Sequence, residues 1–432
     1  MQEFSPYVSY LSSLIHDSKR GDVPETWERN IDAALDGQPS RELMKLVPVE
    51  KLRTDGAFFT GSSLCEKALQ LFIKTIDDNS VILDPTCGAG DLLISCTKAL
   101  SIKEDLTSTL ESWGKQLIGR DLHSEFIQAA KARLILKTLR TGNFDHEQSN
   151  LSCDNFFPNI KQIDIFSDRD IFEKATHVVI NPPFTMIQAP TNCSWARGKV
   201  NAAAVFLEFC LKSARAGTQI MAILPDVLRS GERYQKWRAV IAEHSKEKRL
   251  SLHGQFNSLA EVDVFIVELE VAKGYVDSTY ERWQQPQVQA IPIISQFFKV
   301  SVGPVVDFRH PHEGKLHPFA QTSHHLPSWE TMTELRDKRR FQGRVIQPPF
   351  VVVRRNSKFS DRQRAVGTII NTQQYVAVEN HLLVLEPHDG TLAACEKLLQ
   401  SLKKEETSEW LNQRIRCRHL TVSALRDLPL WS

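Results

Sequence analysis

The sequence predicts an α/β protein, a mostly parallel sheet with helices on both faces, followed by a second module of mixed strands and helices. Two observations carry this. Between residues 56 and 275, short apolar runs alternate with stretches of helical periodicity, the pattern of strands joined by crossover helices. Beyond about residue 276 the alternation fades into a segment rich in proline, histidine and arginine. A chain of 432 residues also exceeds the usual single-domain size, so more than one core is expected.

The elements follow in order. Residues 1–55 read as a helical segment, because "SPYVSYLSSLIHDSKR" and "SRELMKLVPVEKL" space their apolar residues for one helix face. In residues 56–275 the strands are "SVILDP", "KQLIGRD", "HVVINPP", "TQIMAILP" and "VFIVELEV". The helices between and after them are "DLLISCTKALSIKE", "SEFIQAAKARLILKTLR", "AAAVFLEFCLKSAR" and "ERYQKWRAVIAEH". In such a sheet, ligands belong at the carboxyl ends of the strands. Residues 276–432 form the second module.

Composition excludes several classes. With 41% hydrophobic and 24% charged residues the chain is an ordinary globular protein, without an apolar run near the length of a membrane span. No basic-apolar-small signal opens it, so a cytoplasmic protein without membrane partners is expected. The cysteines at 65, 87, 96, 153, 193, 210, 395 and 417 form no Cys-x-x-Cys pair, which argues for reduced thiols and against a zinc ribbon. Five histidines between His310 and His325 are irregularly spaced in a Pro/Gly-rich stretch, the reading of a solvated linker, and no metal is expected. From Arg336 to Arg364 there are ten Lys/Arg against two Asp/Glu, a local excess suited to a polyanion.

Three acids and one loop are the candidates for chemistry. In "VILDPTCGAGDLLISC", Asp84 ends a strand, Gly88 and Gly90 permit a tight turn, and Asp91 is placed to cap the following helix. No Gly-Lys-Ser/Thr follows, so a nucleotide phosphate site is disfavoured, and acids here suit a cationic ligand. Asp121 ends "KQLIGRD", where a carboxylate can take both hydroxyls of a ribose, and Asp164 in "KQIDIFSD" stands at a third strand edge. "HVVINPPF" stops an apolar strand on Asn181-Pro182-Pro183-Phe184, and two prolines cannot continue a ladder. That loop is either an ordinary strand end or a rigid presentation of acceptors and an aromatic face.

The ordered set "GAFFTGSSLCEKAL" (56–69), "LDPTCGAGDLL" (83–93), "IGRD" (118–121), "QIDIF" (162–166) and "INPPF" (180–184) resembles the S-adenosylmethionine-dependent N6-adenine DNA methyltransferases. It is similar above all to type I restriction modification subunits and related single-chain enzymes, and the likeness runs through residues 202–241. The resemblance implies a Rossmann-like methyltransferase domain with S-adenosylmethionine as cofactor. Gly56 and Thr60 would touch its methionine end, although the family usually has proline where this chain has Gly61. Asp84, Cys87, Gly88 and Gly90 would hold the methionine part, Asp121 the ribose, and Asp164 the exocyclic amine of the cofactor's adenine.

The same resemblance gives the Asn-Pro-Pro-Phe loop its role. The side-chain oxygen of Asn181 and the carbonyl of Pro182 would accept the two protons of the target amine, favouring a lone pair aimed at the methyl group. Pro183 removes a competing donor, and Phe184 would stack on a base flipped out of the duplex. Phe256 is a second stacking candidate, evenly balanced against core packing. Residues 276–432 more weakly resemble an α+β DNA-recognition domain. Its candidate contacts to double-stranded DNA are Arg339, Arg340, Arg344, Arg354, Arg355, Lys358, Arg362 and Arg364. The implied setting is restriction-modification or phage defence, with a restriction or defence subunit encoded separately. Other readings stay open: a protein-glutamine or RNA methyltransferase, or a non-catalytic cofactor-binding scaffold.

Overall fold

The computed structural model describes residues 2–18, 26–141, 153–256, 262–274, 283, 291–322, 326–357, 361–416 and 419–431. Two compact units divide the chain, residues 1–229 with 233–280, and residues 230–232 with 281–432.

In the first unit the chain forms β1 (Ile82–Asp84), β2 (Leu117–Asp121), β3 (Ile160–Gln162), β4 (His177–Ile180), β5 (Met186–Gln188), β6 (Lys199–Asn201), β7 (Gln219–Pro225), β8 (Ser245–Gln255) and β9 (Asp263–Val271). Seven of these make one sheet in the order β3-β2-β1-β4-β7-β9-β8, and β5 pairs with β6 in a separate hairpin. The pairings from β3 through β7 are parallel, while β9 runs antiparallel to both β7 and β8. The chain winds from β1 outward to β3 and then returns to β4 on the other side of β1. This Rossmann-like reversal opens a crevice at the carboxyl ends of β1 and β4.

β1 and β4 are buried along their whole length, which is why they read as unbroken apolar runs. β8, "SKEKRLSLHGQ", carries no such signal: it is polar and half-exposed, and two register shifts interrupt its pairing with β9. Among the described residues nine α-helices precede β3: α1 (Ser5–Asp17), α2 (Trp27–Leu35), α3 (Gln38–Leu46), α4 (Val49–Asp55), α5 (Ser62–Leu69), α6 (Asp91–Cys96), α7 (Leu106–Gln116), α8 (Ser124–Thr141) and α9 (Cys153–Phe156). α6 is shorter than its periodicity predicts, passing into a 3-10 turn at Thr97–Ala99. α7 was absent from the expected helices, yet its start is written in Asp105, whose carboxylate accepts from Ser108 N at 2.8 Å.

The amino-terminal helices share one core with the helical layer of the sheet, joining Phe4, Leu11 and Ile31 to Ala130 and Leu134. Arg133 of α8 is 0% exposed and fastens this junction. Its guanidinium donates to Ala34 O and Leu35 O at the end of α2, to Ala89 O in the turn after β1, and to the Asp91 carboxylate at 2.8 Å. After β3 come α10 (Ala202–Ser213), α11 (Asp226–Ser230) and α12 (Gln235–His244).

The second unit is mixed α and β. Its strands are β10 (Phe298–Val302), β11 (Lys315–Ala320), β12 (Thr331–Met332), β13 (Lys338–Phe341), β14 (Phe350–Arg354), β15 (Gly367–Ile370), β16 (Ala377–Val378) and β17 (Leu382–Pro387). They form a five-stranded sheet, β10-β17-β14-β15-β12, and a three-stranded one, β13-β11-β16. Helices α13 (Leu392–Lys403), α14 (Glu405–Arg414) and α15 (Val422–Arg426) contribute Leu398, Leu411 and Leu425 to a core shared with Val351, Val353 and Leu385. No described helix is long and apolar enough to cross a membrane.

Candidate active site

Two adjoining cavities open at the carboxyl ends of β1, β2 and β4. Phe59, Thr60, Asp84, Cys87, Gly88, Asp91, Asp121, Leu122, Pro183 and Phe206 are among the residues lining the first. Pro182, Phe184, Phe256 and Val262 line the second. Gly56, Phe58 and Asn181 border both.

The first cavity is acidic. Asp84 is buried at the end of β1 and accepts from Thr86 N at 3.0 Å. Burial holds its carboxyl well above the usual carboxylate range, and the neighbouring charges of Asp121 and Asp91 push the same way. Asp121 is raised as well, again by burial, although it accepts from Gly88 N at 3.1 Å and His123 N at 2.9 Å. Such carboxyls favour a ligand that brings a cation or hydroxyl donors, since these restore what desolvation removed. Cys87 is buried in the same turn and burial pushes its thiol up, so it is a neutral thiol rather than a nucleophile.

The turn after β1 is shaped by close approach. Gly88 has φ +51°, and a Cβ there would stand 3.0 Å from the Phe59 ring. Gly90 has φ +87°, and a Cβ there would stand 3.1 Å from Ala130 Cβ of α8. Gly90, not Asp91, is the cap position of α6, which corrects the expected role of Asp91. The Asp91 carboxylate instead turns back to accept from Gly61 N at 2.8 Å and to pair with Arg133.

The Asn181 loop is held on all sides. Asn181 Nδ2 donates to Thr60 Oγ1 at 2.9 Å, and Asn181 O accepts from Thr86 Oγ1 at 3.3 Å. Asn181 Oδ1 is buried and has no hydrogen-bond partner among the described residues. Pro183 packs so closely on Gly56 that a Cβ at Gly56 would lie 2.6 Å from the proline Cβ. At the far end, Phe184 O accepts from Asn201 Nδ2 at 3.0 Å, while Asn201 Oδ1 caps α10 through Ala203 N at 3.0 Å. Asn201 was not among the expected site residues; its signal was an asparagine directly before the periodic run "AAAVFLEFC". Phe184 meets Phe256 edge to face, centroids 5.6 Å apart, and Phe256 is buried, so it backs the Phe184 ring as packing.

One expected residue stands elsewhere. Asp164 lies two residues beyond β3, exposed, capping the turn at Ile165–Ser167 by accepting from Phe166 N at 3.1 Å. It does not line the first cavity, whose wall on this side is Leu122 and Phe206. The strand stops at Gln162, which corrects the expected depth of Asp164. His177, at the start of β4, is buried against the Thr75 and Thr176 hydroxyls, and burial lowers its pKa.

Among the candidate arginines, two are corrected outright. Arg339 is 2% exposed because its side chain points inward from β13, paired with Asp307, donating to His310 O at 2.8 Å and lying over the Phe319 ring. Arg364 is 1% exposed and bonds Ser357 Oγ at 2.9 Å, Asn412 and Ile415 O. Arg344 is exposed but paired with Glu386. Arg354 and Arg355 are half-buried, the former donating to Leu326 O at 2.8 Å. Arg340 and Arg362 are exposed, and Lys358 lies outside the described residues. No group of three or more His, Cys, Asp or Glu suited to a metal ion occurs among the described residues.

Residues 43–250 match the family described as N-6 DNA methylase. The match takes in a little under half of the 432-residue chain. The methylase span contains the whole of both cavities except Phe256 and Val262. No curated protein matches the chain by sequence. Among solved structures, the type IIG restriction endonuclease BpuSI is similar at 14% identity, covering 95% of this chain and 63% of that one, with a TM-score of 0.46. A modification subunit of a putative type I restriction enzyme from Vibrio vulnificus YJ016 is similar at 14% identity, covering 58% and 50%, with a TM-score of 0.40. The type IIL restriction-modification enzyme MmeI, solved in complex with DNA, is 12% identical over 93% of this chain and 67% of that one, with a TM-score of 0.49. The chain thus spans less than two thirds of the length of the first two.

Proposed function

We propose that this protein transfers a methyl group from S-adenosylmethionine to the N6 amine of adenine in double-stranded DNA, in a restriction-modification or phage-defence setting. The observation that carries the reading is Asn181 Oδ1, a buried acceptor without a partner among the described residues, at the border of two cavities. An unfilled buried acceptor is destabilising by about 1–3 kcal/mol, which makes sense where a ligand supplies the donor.

The first cavity fits the cofactor on the chemistry of its donors. Two carboxyls raised by desolvation, the buried Asp84 and the half-buried Asp121, suit a ligand with a sulfonium, an ammonium group and a ribose diol. Asp121 would take the diol, Asp84 and the Cys87–Gly90 turn the methionine part, and Gly56 and Thr60 its far end. Leu122 and Phe206 would flank the adenine ring; Asp164, capping its own turn, is left to the rim. S-adenosylmethionine, when bound, supplies the electrophilic methyl group.

The chain's own residues then do the rest. Asn181 Oδ1 and Pro182 O accept the two protons of the target amine, which favours a pyramidal nitrogen with its lone pair toward the first cavity. Phe184, backed by Phe256, offers a face to the flipped base. Pro183, locked against Gly56, keeps the loop from yielding. No general base is required, because attack leaves a strongly acidic methylated ammonium, which then gives its proton to water. Exposed cations of the second unit, Arg340 and Arg362 with Lys338, would meet phosphates.

Asn181→Ala tests this. Methyl incorporation into unmodified plasmid DNA should fall by about a hundredfold to a thousandfold, with S-adenosylmethionine affinity nearly unchanged. Near-normal transfer by the variant would sink the mechanism. Transfer to RNA or to a glutamine-containing peptide instead of DNA would move the protein to the alternative substrate class.

A further inference from the structure

We infer that Thr60 is a positioning residue for Asn181: its hydroxyl oxygen fixes which end of the Asn181 amide faces the target nitrogen. The inference rests on the methyl-transfer reading above and adds a cause for the orientation that reading needs. A primary amide has two ends of nearly equal shape and opposite chemistry, since the oxygen accepts and the nitrogen donates. A target amine brings two protons and needs an acceptor. With the amide reversed, donor would face donor.

The loop itself does not choose between these states. Pro182 and Pro183 fix the backbone, but they leave the last torsion of Asn181 free. The choice falls to Thr60, whose Oγ1 lies 2.9 Å from Asn181 Nδ2. A hydroxyl has one proton and two lone pairs, so an Oγ1 that accepts from Nδ2 still has its proton to give. Thr60 also lines the first cavity, where a ligand acceptor can take that proton. Once it is taken, Oγ1 has only lone pairs to offer, and a reversed amide would set oxygen against oxygen. Loading of the first cavity and orientation of the amide in the second thereby share one hydroxyl. Thr86 steadies the same residue from the other side, donating to Asn181 O at 3.3 Å, so rotation of the side chain is the freedom that remains.

The test uses the full chain with three substitutions. Thr60→Val keeps the shape and removes the acceptor, Thr60→Ser restores the hydroxyl, and Thr60→Ala carries the same expectation as valine should the branched side chain pack badly. Single-turnover transfer from tritiated S-adenosylmethionine to unmodified plasmid DNA gives the rate, and calorimetric titration gives cofactor affinity independently of activity. At saturating cofactor, Thr60→Val should be slower by about a hundredfold, the scale of losing one preorganised polar group, while Thr60→Ser returns to within a few-fold of the parent. In an Asn181→Ala background, Thr60→Val should slow the reaction no further, because a residue that acts through another is silent once that other is gone.

A Thr60→Val enzyme at the parent rate overturns the inference. So does a rate restored by saturating cofactor, which would make Thr60 a cofactor contact alone, or a loss that adds in full to that of Asn181→Ala. Asn181→Ala at the parent rate would sink the underlying mechanism, and the inference with it, without reference to Thr60.

Discussion

Gly56→Ala is a small change with a large expected effect. Gly56 ends α4 in the left-handed region, at φ +67°, and a methyl group on it would stand 2.6 Å from Pro183 Cβ and 2.9 Å from Thr185 Cγ2. The backbone conformation alone is unfavourable for alanine by about 1–2 kcal/mol. Forcing a methyl into a filled site adds about 1–3 kcal/mol, unless the neighbour moves. Together these predict a stability loss of roughly 2–5 kcal/mol, survivable for a protein of ordinary stability. The neighbour here is the Asn-Pro-Pro-Phe loop, so any relief comes from displacing Asn181. A displacement on the order of 1 Å slows a positioned reaction by about a hundredfold.

Gly37→Ala separates the two contributions. Gly37 has a similar φ, +69°, but a Cβ there meets only the end of the flexible Arg41 side chain, at 3.1 Å. It should therefore lose about 1–2 kcal/mol and keep its transfer rate. Urea unfolding gives the stabilities and single-turnover methyl transfer the rates. If Gly56→Ala matches Gly37→Ala in both, the packing of Pro183 on Gly56 does not control the loop.

Three further outcomes are expected. Asp121→Ala should weaken S-adenosylmethionine binding by about 1.5–3 kcal/mol, the range for hydrogen bonds to a charged group, and an unchanged calorimetric affinity would place the ribose elsewhere. Because Asp84 and Asp121 are raised above the usual carboxylate range, the unliganded protein holds protons that the unfolded chain has released. These groups therefore lower stability as pH rises from the ordinary carboxylate range through their raised values. Cofactor donors relieve that burden, so the melting-temperature gain from S-adenosylmethionine should grow across the same window; a gain that shrinks with rising pH would contradict the assignment. Finally, replacing exposed Arg340 and Arg362 should flatten the salt dependence of DNA binding by about 0.9 for each phosphate that is no longer neutralised. Arg339→Ala should leave the slope alone and destabilise the protein by about 1.5–3 kcal/mol, the range for hydrogen bonds made by a charged group.

What was legible in the sequence was whatever burial writes on both faces of an element. β1, β4 and β7 are buried through most of their length, and their apolar runs located both the sheet and the crevice. β8 was not legible, because tertiary pairing with β9 holds a polar segment as a strand against its own pattern. Asp84, Asp121 and Asn181 stand at strand ends, where alternation and turn residues fix position to within a residue. Asp164 lay beyond the end of a three-residue strand, and no pattern marks where so short a strand stops. The arginines of 336–364 expose the same weakness. On β13, Lys338 and Arg340 point out while Arg339 points in, and a charge count cannot see a period of two when both faces carry cations.

Arg133 changes what the amino-terminal helices are. A guanidinium with no exposed surface cannot lose its acceptors without leaving a buried charge uncompensated. Two of those acceptors, Ala34 O and Leu35 O, belong to α2; the others, Ala89 O and the Asp91 carboxylate, belong to the wall of the cofactor cavity and the turn behind it. A shortened chain beginning near residue 56, the natural cut for anyone seeking a minimal enzyme, would leave that cation clinging to the turn alone. The end of α2 thus braces, through Arg133, the turn that carries the binding site, and a cloning boundary drawn in front of the motifs would remove that brace.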